Sequence, residues 1–415
     1  MSETSQSLPL DGVRVLELGM FIAGPYAGQQ LADLGAEVIK VEHPRIPDPM
    51  RTWRDFGDGD LWWPSLSRNK RHIAVDLSSE KGADVILRLA RESHVVLENF
   101  QPGTLEKWGL GPDRLLEENP AVVVVRVSGF GQDGPYAGRP GFGSVGEAMG
   151  GIRHLTGWPD RPSTRSGVSL GDQVCALFAT VGALAALRHA ERTGQGQVID
   201  AAIYESVLAL TESTVAEYVR TGFSRNRSGP TLPGVAPSNV YPTADGSEVL
   251  IAANSDAIFR RLVDALGIPE LADDGRFSTH TERASNMKEL DDLLSLATSQ
   301  HDARGLVSLL SDAQVPASLI YAAPDLISDV HIRSREMIQK HDVPGVGPLP
   351  MIAPIPRFSR TPTAVRWVAQ PHGSETNAVL QEVCGIGSDE VEALVADGVI
   401  AVGQYPHLNA TEKEF

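Results

Sequence analysis

Along the first third of the chain, short apolar runs alternate with stretches of helical period. Residues 13–18, 36–42, 73–77, 95–98 and 122–127 have strand length and are rich in Val, Ile and Leu. Between the first two, residues 24–34 read as a helix. Ser78 and Ser79 can cap another helix that runs to about Arg91, with Glu80 in its first turn and Val85, Ile86, Leu89 and Ala90 on one face. This alternation predicts an α/β fold with a mostly parallel sheet and helices on both faces.

Residues 173–191 carry the strongest helical pattern, with Val174, Leu177, Phe178, Val181, Leu184, Ala185 and Leu187 on a broad apolar face and Thr193-Gly194 as a stop. That breadth predicts a central helix packed on several sides. A short strand at 197–202 and a second helix over 203–220 follow. After Gly222 the composition turns to Arg, Gly and Pro, as at a domain boundary. Beyond it, residues 239–243 and 248–253 flank Asp245-Gly246, a hairpin signal, and helical patterns recur at 257–266, 286–297 and 303–311. The expected organisation is a large Rossmann-like domain over 1–225 and a smaller α+β domain over 226–335. Residues 336–415, with a Pro-rich stretch at 344–362 and an amphipathic region at 374–397, have too little core of their own and are expected to return to the large domain.

Charge narrows the partners. Among 415 residues, 36 Lys and Arg against 53 Asp and Glu give a net charge of −17, which repels polyphosphate backbones and argues against nucleic acid. No apolar run approaches the ~20 residues of a membrane span, and residues 1–10 lack the zones of a signal peptide, so a cytoplasmic protein without a membrane partner is expected. The two cysteines, Cys175 and Cys384, lie far apart, and the histidines show no HExxH or HxxxH spacing, so no dedicated metal site is expected. Gly19-Met-Phe-Ile-Ala-Gly24 is not the GxGxxG spacing of a dinucleotide site, and there is no P-loop.

The stretch Ser166-Gly-Val-Ser-Leu-Gly-Asp172 carries two competing chemistries. Gly167-Val-Ser169-Leu-Gly171 matches the GxSxG elbow of serine hydrolases, but that elbow needs a buried strand in front, and Arg161-Pro-Ser-Thr-Arg is polar and contains proline. The other candidate is Asp172, just ahead of the long helix. Most aspartates there simply cap free N–H groups. A carboxylate at that place also stays ionised in the helix field, and Gly167 and Gly171 leave room for a ligand, so Asp172 could attack an activated acyl group.

The segment Thr164-Arg-Ser-Gly-Val-Ser-Leu-Gly-Asp172, the long Ala/Leu helix and then Arg192-Thr-Gly-Gln-Gly-Gln-Val-Ile-Asp200 resemble the catalytic region of the class III CoA transferases, the formyl-CoA transferase or CaiB/BaiF family. Further matches follow in the family's order: Leu10-Asp-Gly-Val-Arg-Val-Leu-Glu17, Ala23-Gly-Pro25, Asp33-Leu-Gly-Ala-Glu-Val-Ile-Lys-Val-Glu42, Asn69-Lys-Arg71, Glu98-Asn-Phe-Gln-Pro-Gly103, Ser128-Gly-Phe-Gly131, Tyr241-Pro-Thr-Ala-Asp-Gly246 and Val315-Pro-Ala317. The overall pattern looks closest to the transferases that pair succinyl-CoA with short dicarboxylic acids.

This resemblance implies an interlocked homodimer of Rossmann-like subunits, with coenzyme A entering as acyl-CoA substrate and no permanently bound cofactor. It implies that Asp172 passes through a mixed anhydride and an aspartyl-CoA thioester. The family's CoA contacts fall on Ala23, Val75, Asn99, Phe100, Gln101, Lys107, Ser128 and Gly129, with Arg71 as a further phosphate candidate. Gly234 falls where the family has a mobile glycine loop. A second carboxylate on the acceptor would need a cation, for which Arg51, Arg54, Arg165 and Arg225 stand in loops. His43 and Ile22 stand where formyl-CoA transferase has Arg and Gln, which disfavours oxalate and formate. Racemases of the same family use a histidine where this chain has Phe142, and neither Phe142 nor Gly143 can move a proton. A CoA-binding protein without catalysis is the remaining alternative, and the presence of Asp172 argues against it.

Overall fold

The parallel strands of the α/β pattern form one sheet, in a computed structural model that describes residues 7–57 and 59–403. Strands β1 (Arg14–Glu17), β2 (Glu37–Glu42), β3 (Lys70–Val75), β4 (Val95–Glu98), β5 (Val123–Ser128) and β6 (Gln197–Ala202) lie side by side in the order β3-β2-β1-β4-β5-β6, all parallel. The order reverses between β1 and β4. In a sheet of this kind the crevice beyond the carboxyl ends of those two strands is the natural ligand site.

Both faces of the sheet are covered, so successive residues serve different cores. Val15 and Val38 point to one, Leu16 and Ile39 to the other. The first core takes helix α1 (Ala23–Asp33); the second takes helix α2 (Glu80–Arg91), whose N-cap is Ser79 accepting from Gly82 N at 3.1 Å. Helix α3 (Gly143–Met149) is short. Helix α4 (Leu170–Thr193) buries a stripe of Ala176, Ala179, Ala183 and Ala186 against α1 and the sheet, and ends at Gly194 in the left-handed region. By length and composition alone, α4 could cross a membrane, contrary to the reading that no run is long enough. Its small-residue stripe lies in the sheet's core instead. Nor is α4 packed on several sides in the single chain: Leu177, Phe178 and Val181 are 46, 48 and 64 % exposed.

The described chain divides into two compact units. The first holds the parallel sheet and is built from residues up to Ile152, from Ser166–Glu212 and from Arg335 onward. The second is Arg153–Arg165 with Ser213–Ser334. In it, β7 (Ser238–Pro242), β8 (Glu248–Ala252) and β9 (Ala317–Leu319) make an antiparallel sheet around a core that includes Tyr241, Phe259, Leu262, Leu290 and Leu306. The single helix expected over 203–220 breaks into Ile203–Leu208 and Thr214–Thr221, with Glu212 in the left-handed region at φ 53°. The Pro-rich stretch 344–362 gives half of a hairpin, β10 (Ile338–Val343) and β11 (Gly347–Ile352); a two-stranded sheet leaves outward positions where Pro348 and Pro350 need no N–H. Finally β12 (Ile400–Ala401) pairs antiparallel with β3 and closes that edge of the large sheet.

β3 starts three residues earlier than its apolar run because its polar residues are buried with partners. Lys70 pairs with Glu17 at 2.7 Å, and His72 lies 3.2 Å from Glu42.

Candidate active site

Asp172 is half-buried in the first turn of α4, beside the first residue of α3. A Cβ placed on Gly143 would fall 2.0 Å from Asp172 Oδ2, and one on Gly171 would fall 2.8 Å from the Gly143 carbonyl oxygen. Two glycines therefore let the N-terminal ends of α3 and α4 meet at the carboxylate. The positive ends of both helices favour negative charge at that point. Gly171 N also donates to Glu147 Oε1 at 3.3 Å, tying the two helices together.

The lead-in to α3 rests on the end of β5. Ser128 Oγ accepts from Gly131 N at 2.9 Å, and a Cβ on Gly129 would lie 2.9 Å from Gly141 Cα. Ser128 and Gly129 thus border the segment that carries Gly143 to Asp172. At the reversal point of the sheet, Asn99 spans the crevice: its Nδ2 donates to Met20 O at 2.7 Å and its Oδ1 accepts from Met20 N at 2.8 Å. A Cβ on Gly19 would strike that Oδ1, so only glycine fits beneath it. Next to Met20, Phe21 sits in the left-handed region at φ 63°. Its ring stands edge-on to both Trp53 and Phe142, with centroids 6.1 Å apart in each case.

Beyond the carboxyl ends of β1 to β4 lies a cavity of about 240 Å³ lined by Leu18, Met20, Ile46, Val75, Leu77, Phe100 and Trp108, with His43, Asp76 and Ser78 among its polar groups. Phe100 and Trp108 meet edge to face at 5.2 Å. Lys107 and Gln101, next to these aromatics in sequence, are exposed. Ala23 opens α1 with its methyl group buried in the core. Val75, Asn99, Phe100, Ser128 and Gly129 accordingly share the carboxyl edge of the sheet.

Two of the arginines are already paired with carboxylates. Arg71 lies near the amino end of β3, away from Val75, and is paired with Glu37, Glu375 and Glu382, so its charge is already matched. Arg51 grips Glu42 with two hydrogen bonds of 2.8 and 2.6 Å, with its guanidinium 4.5 Å from the centre of the Trp63 ring. Although burial pushes Glu42 up, Arg51 and His72 hold it well below the ordinary carboxylate range. Arg51 is therefore a fastener between β2 and the following turn, with its charge spent on Glu42. Arg54 is exposed beside Trp53. Arg165, Gly234 and Arg225 belong to the second unit, where Arg225 is bound to Glu217.

Ser169 is the N-cap residue of α4, and the residues before it, 162–166, are irregular. The strand required by a hydrolase elbow is not there. Cys175, one turn beyond Asp172, has its thiol pushed up to about 12 by burial, so it does not compete as a thiolate nucleophile. Trp53 and Trp108 carry no local signature as site residues, whereas Phe21 follows the end of β1 closely.

The sequence model of CoA-transferase family III matches residues 10–376. Succinyl-CoA–D-citramalate CoA-transferase of Chloroflexus aurantiacus is 50 % identical over 403 residues, covering 96 % of this chain and 100 % of the relative. Succinate–glutarate CoA-transferase of Agrobacterium fabrum is 36 % identical over 335 residues, covering 79 % of this chain and 84 % of the relative. Among solved structures, a CaiB/BaiF family protein from Brucella suis superimposes with a TM-score of 0.79 at 36 % identity, covering 91 % of this chain and 100 % of that one.

Proposed function

Because the chain belongs to CoA-transferase family III, we propose that it carries CoA from succinyl-CoA or a similar donor to a short carboxylic or hydroxy-dicarboxylic acid, with Asp172 as the acyl carrier. The observation that carries this reading is the half-buried Asp172 carboxylate at the junction of two helix N-termini, with Gly143 packed against it. The relatives' names support the substrates: one pairs succinyl-CoA with D-citramalate, another succinate with glutarate.

In this mechanism Asp172 Oδ attacks the donor's thioester carbonyl; the C–S bond breaks, CoA leaves as thiolate, and a mixed anhydride remains. The thiolate attacks the aspartyl carbonyl and expels the donor acid, leaving an aspartyl-CoA thioester. The acceptor carboxylate then displaces CoA to form a new anhydride. Attack of the thiolate on the acceptor's acyl carbon releases its CoA ester and restores Asp172. Each step exchanges one activated acyl bond for another, so no outside energy source is required. Backbone N–H groups at the start of α3, beside Gly143, are suited to the oxyanions that form at each attack. The cavity beside Phe100 and Trp108, with Lys107 nearby, would hold the CoA nucleotide.

The bare Leu177, Phe178 and Val181 flank of α4 supports a homodimer in which a second copy covers it. Racemase chemistry is not favoured, since the resemblance puts the racemases' histidine at Phe142, whose ring cannot move a proton.

The test is incubation with succinyl-CoA and a panel of carboxylates, following new CoA esters by mass. Transfer by the wild type, a CoA adduct on the Asp172 peptide when acceptor is withheld, and loss of both in Asp172→Ala are expected. Transfer that survives Asp172→Ala would overturn the mechanism.

A further inference from the structure

Beneath the loop that joins β1 to α1 lies a set of charged side chains sealed from solvent: Glu17, Lys40 and Lys70 at 0 % and Asp48 at 1 % side-chain exposure. Burying ions is costly even when they are paired, and an apolar core of the same shape would hold the sheet at least as well. What the ions do hold is the loop. Lys40 Nζ donates to the Gly19 carbonyl and pairs with Asp48 Oδ2 at 3.0 Å. Asp48 Oδ1 accepts from Met50 N at 3.0 Å and from Phe21 N at 3.3 Å. Asp48 is itself fixed, because its own N–H donates to Glu42 Oε2 at 3.0 Å. Lys70 donates to the Pro25 carbonyl at 2.7 Å, in the first turn of α1.

Phe21 needs such a hold. A non-glycine residue at φ 63° relaxes to the ordinary region unless its surroundings over-determine it. The constraint reaches the reacting group by a short route. The Phe21 ring stands edge-on to Phe142 at 83°, and the next residue, Gly143, lies against the Asp172 carboxylate.

We propose that Asp48, with Lys40 behind it, is a positioning residue for the transfer reaction: it fixes Phe21 in its left-handed conformation, and Phe21 in turn fixes Phe142 and the start of α3 beside Asp172. The proposal rests on Asp172 being the acyl carrier. Lys40 is fully buried, and Asp48, although it borders the cavity proposed for CoA, has a side chain only 1 % exposed with both oxygens engaged by Lys40, Phe21 N and Met50 N. Their contribution therefore shows in kcat rather than in the KM for acyl-CoA, and it vanishes when the aromatic link is cut.

The experiment is a double-mutant cycle between Asp48→Asn and Phe142→Ala, read as kcat and KM for CoA transfer in the full-length enzyme. Alone, Asp48→Asn lowers kcat roughly tenfold and leaves the KM for acyl-CoA within about twofold; in the Phe142→Ala background it changes kcat by less than about twofold. Equal losses in both backgrounds, or a loss confined to KM, would show a merely structural role and overturn the proposal. Should Asp48→Asn fail to fold, Phe21→Ala replaces it, since that variant leaves the buried ions intact and must show the same non-additivity with Phe142→Ala. Wild-type transfer that is abolished in Asp172→Ala, together with an additive cycle, sinks this proposal alone. Transfer that does not need Asp172 sinks the mechanism and this proposal with it.

Discussion

The Asp172 carboxylate occupies space that a side chain on Gly143 would claim, with Oδ2 only 2.0 Å from where that Cβ would sit. An aspartate is too short to yield by bending its far end, so in Gly143→Ala the carboxylate must rotate out of place. A misplacement of this size at a reacting atom costs on the order of 100-fold in rate. Gly143→Ala is expected to lose about that much kcat while the KM for acyl-CoA stays within about twofold and the thermal midpoint changes little. Steady-state kinetics with a melting curve checks it. Unchanged kcat would mean that the carboxylate's position is irrelevant to turnover.

The aromatic pair at the cavity makes a separate prediction, about binding alone. Trp108 supplies one wall and meets Phe100 edge to face at 5.2 Å. Removing a ring that stacks on a base is worth about 1–3 kcal/mol, so Trp108→Ala should raise the KM for acyl-CoA roughly tenfold with kcat preserved. Lys107→Ala should raise it by a smaller factor, and added salt should erase the difference, because an exposed charge pair is screened. A salt-independent effect would argue that Lys107 does not meet a phosphate.

Much of this geometry is written locally, and some of it is not. The strand runs and the caps of α2 and α4 are readable because each is decided within a few residues: Ser79 caps Gly82, and Gly194 ends α4. Asp172 stands out through its glycines and its place ahead of a long helix. For Arg51 and Arg71 the sequence shows the charge but not the carboxylates that fold against it; Glu42, Glu375 and Glu382 arrive from other elements. The Phe21–Phe142 contact joins residues 121 positions apart (142 − 21) and has no local signature at all.

The buried cluster next to that loop makes stability depend on pH. His72 is fully buried, and burial, aided by the charges of Arg51 and Lys70, pushes it down to about 4 from its ordinary 6.5, against the pull of Glu42. Between these values the unfolded chain binds a proton that the folded chain refuses, so stability falls as pH drops from about 6.5 toward 4. The loss amounts to about 3 kcal/mol on the scale of ~1.4 kcal/mol per pKa unit. Glu42, held low, loses its contribution only at still lower pH. Denaturant unfolding at a series of pH values should show this slope, and His72→Gln should flatten it between pH 6.5 and 4. A slope that is the same in both proteins would assign the acid sensitivity to other groups.

The flank of α4 offers the sharpest test of assembly. Leu177, Phe178 and Val181 lie on one side of the helix and, with Val198 on the neighbouring β6, leave large apolar side chains facing outward from an otherwise well-packed sheet. A soluble monomer has no use for that row, whereas a dimer buries it. Phe178→Asp combined with Val181→Asp would place two carboxylates inside such an interface without partners, at a cost of several kcal/mol each. The wild type should therefore sediment as a dimer, and the double variant as a monomer or an unfolded chain with transfer activity lost. An exposed flank would tolerate both charges, so a double variant that keeps the wild type's sedimentation and turnover would show that the second copy, if there is one, docks elsewhere.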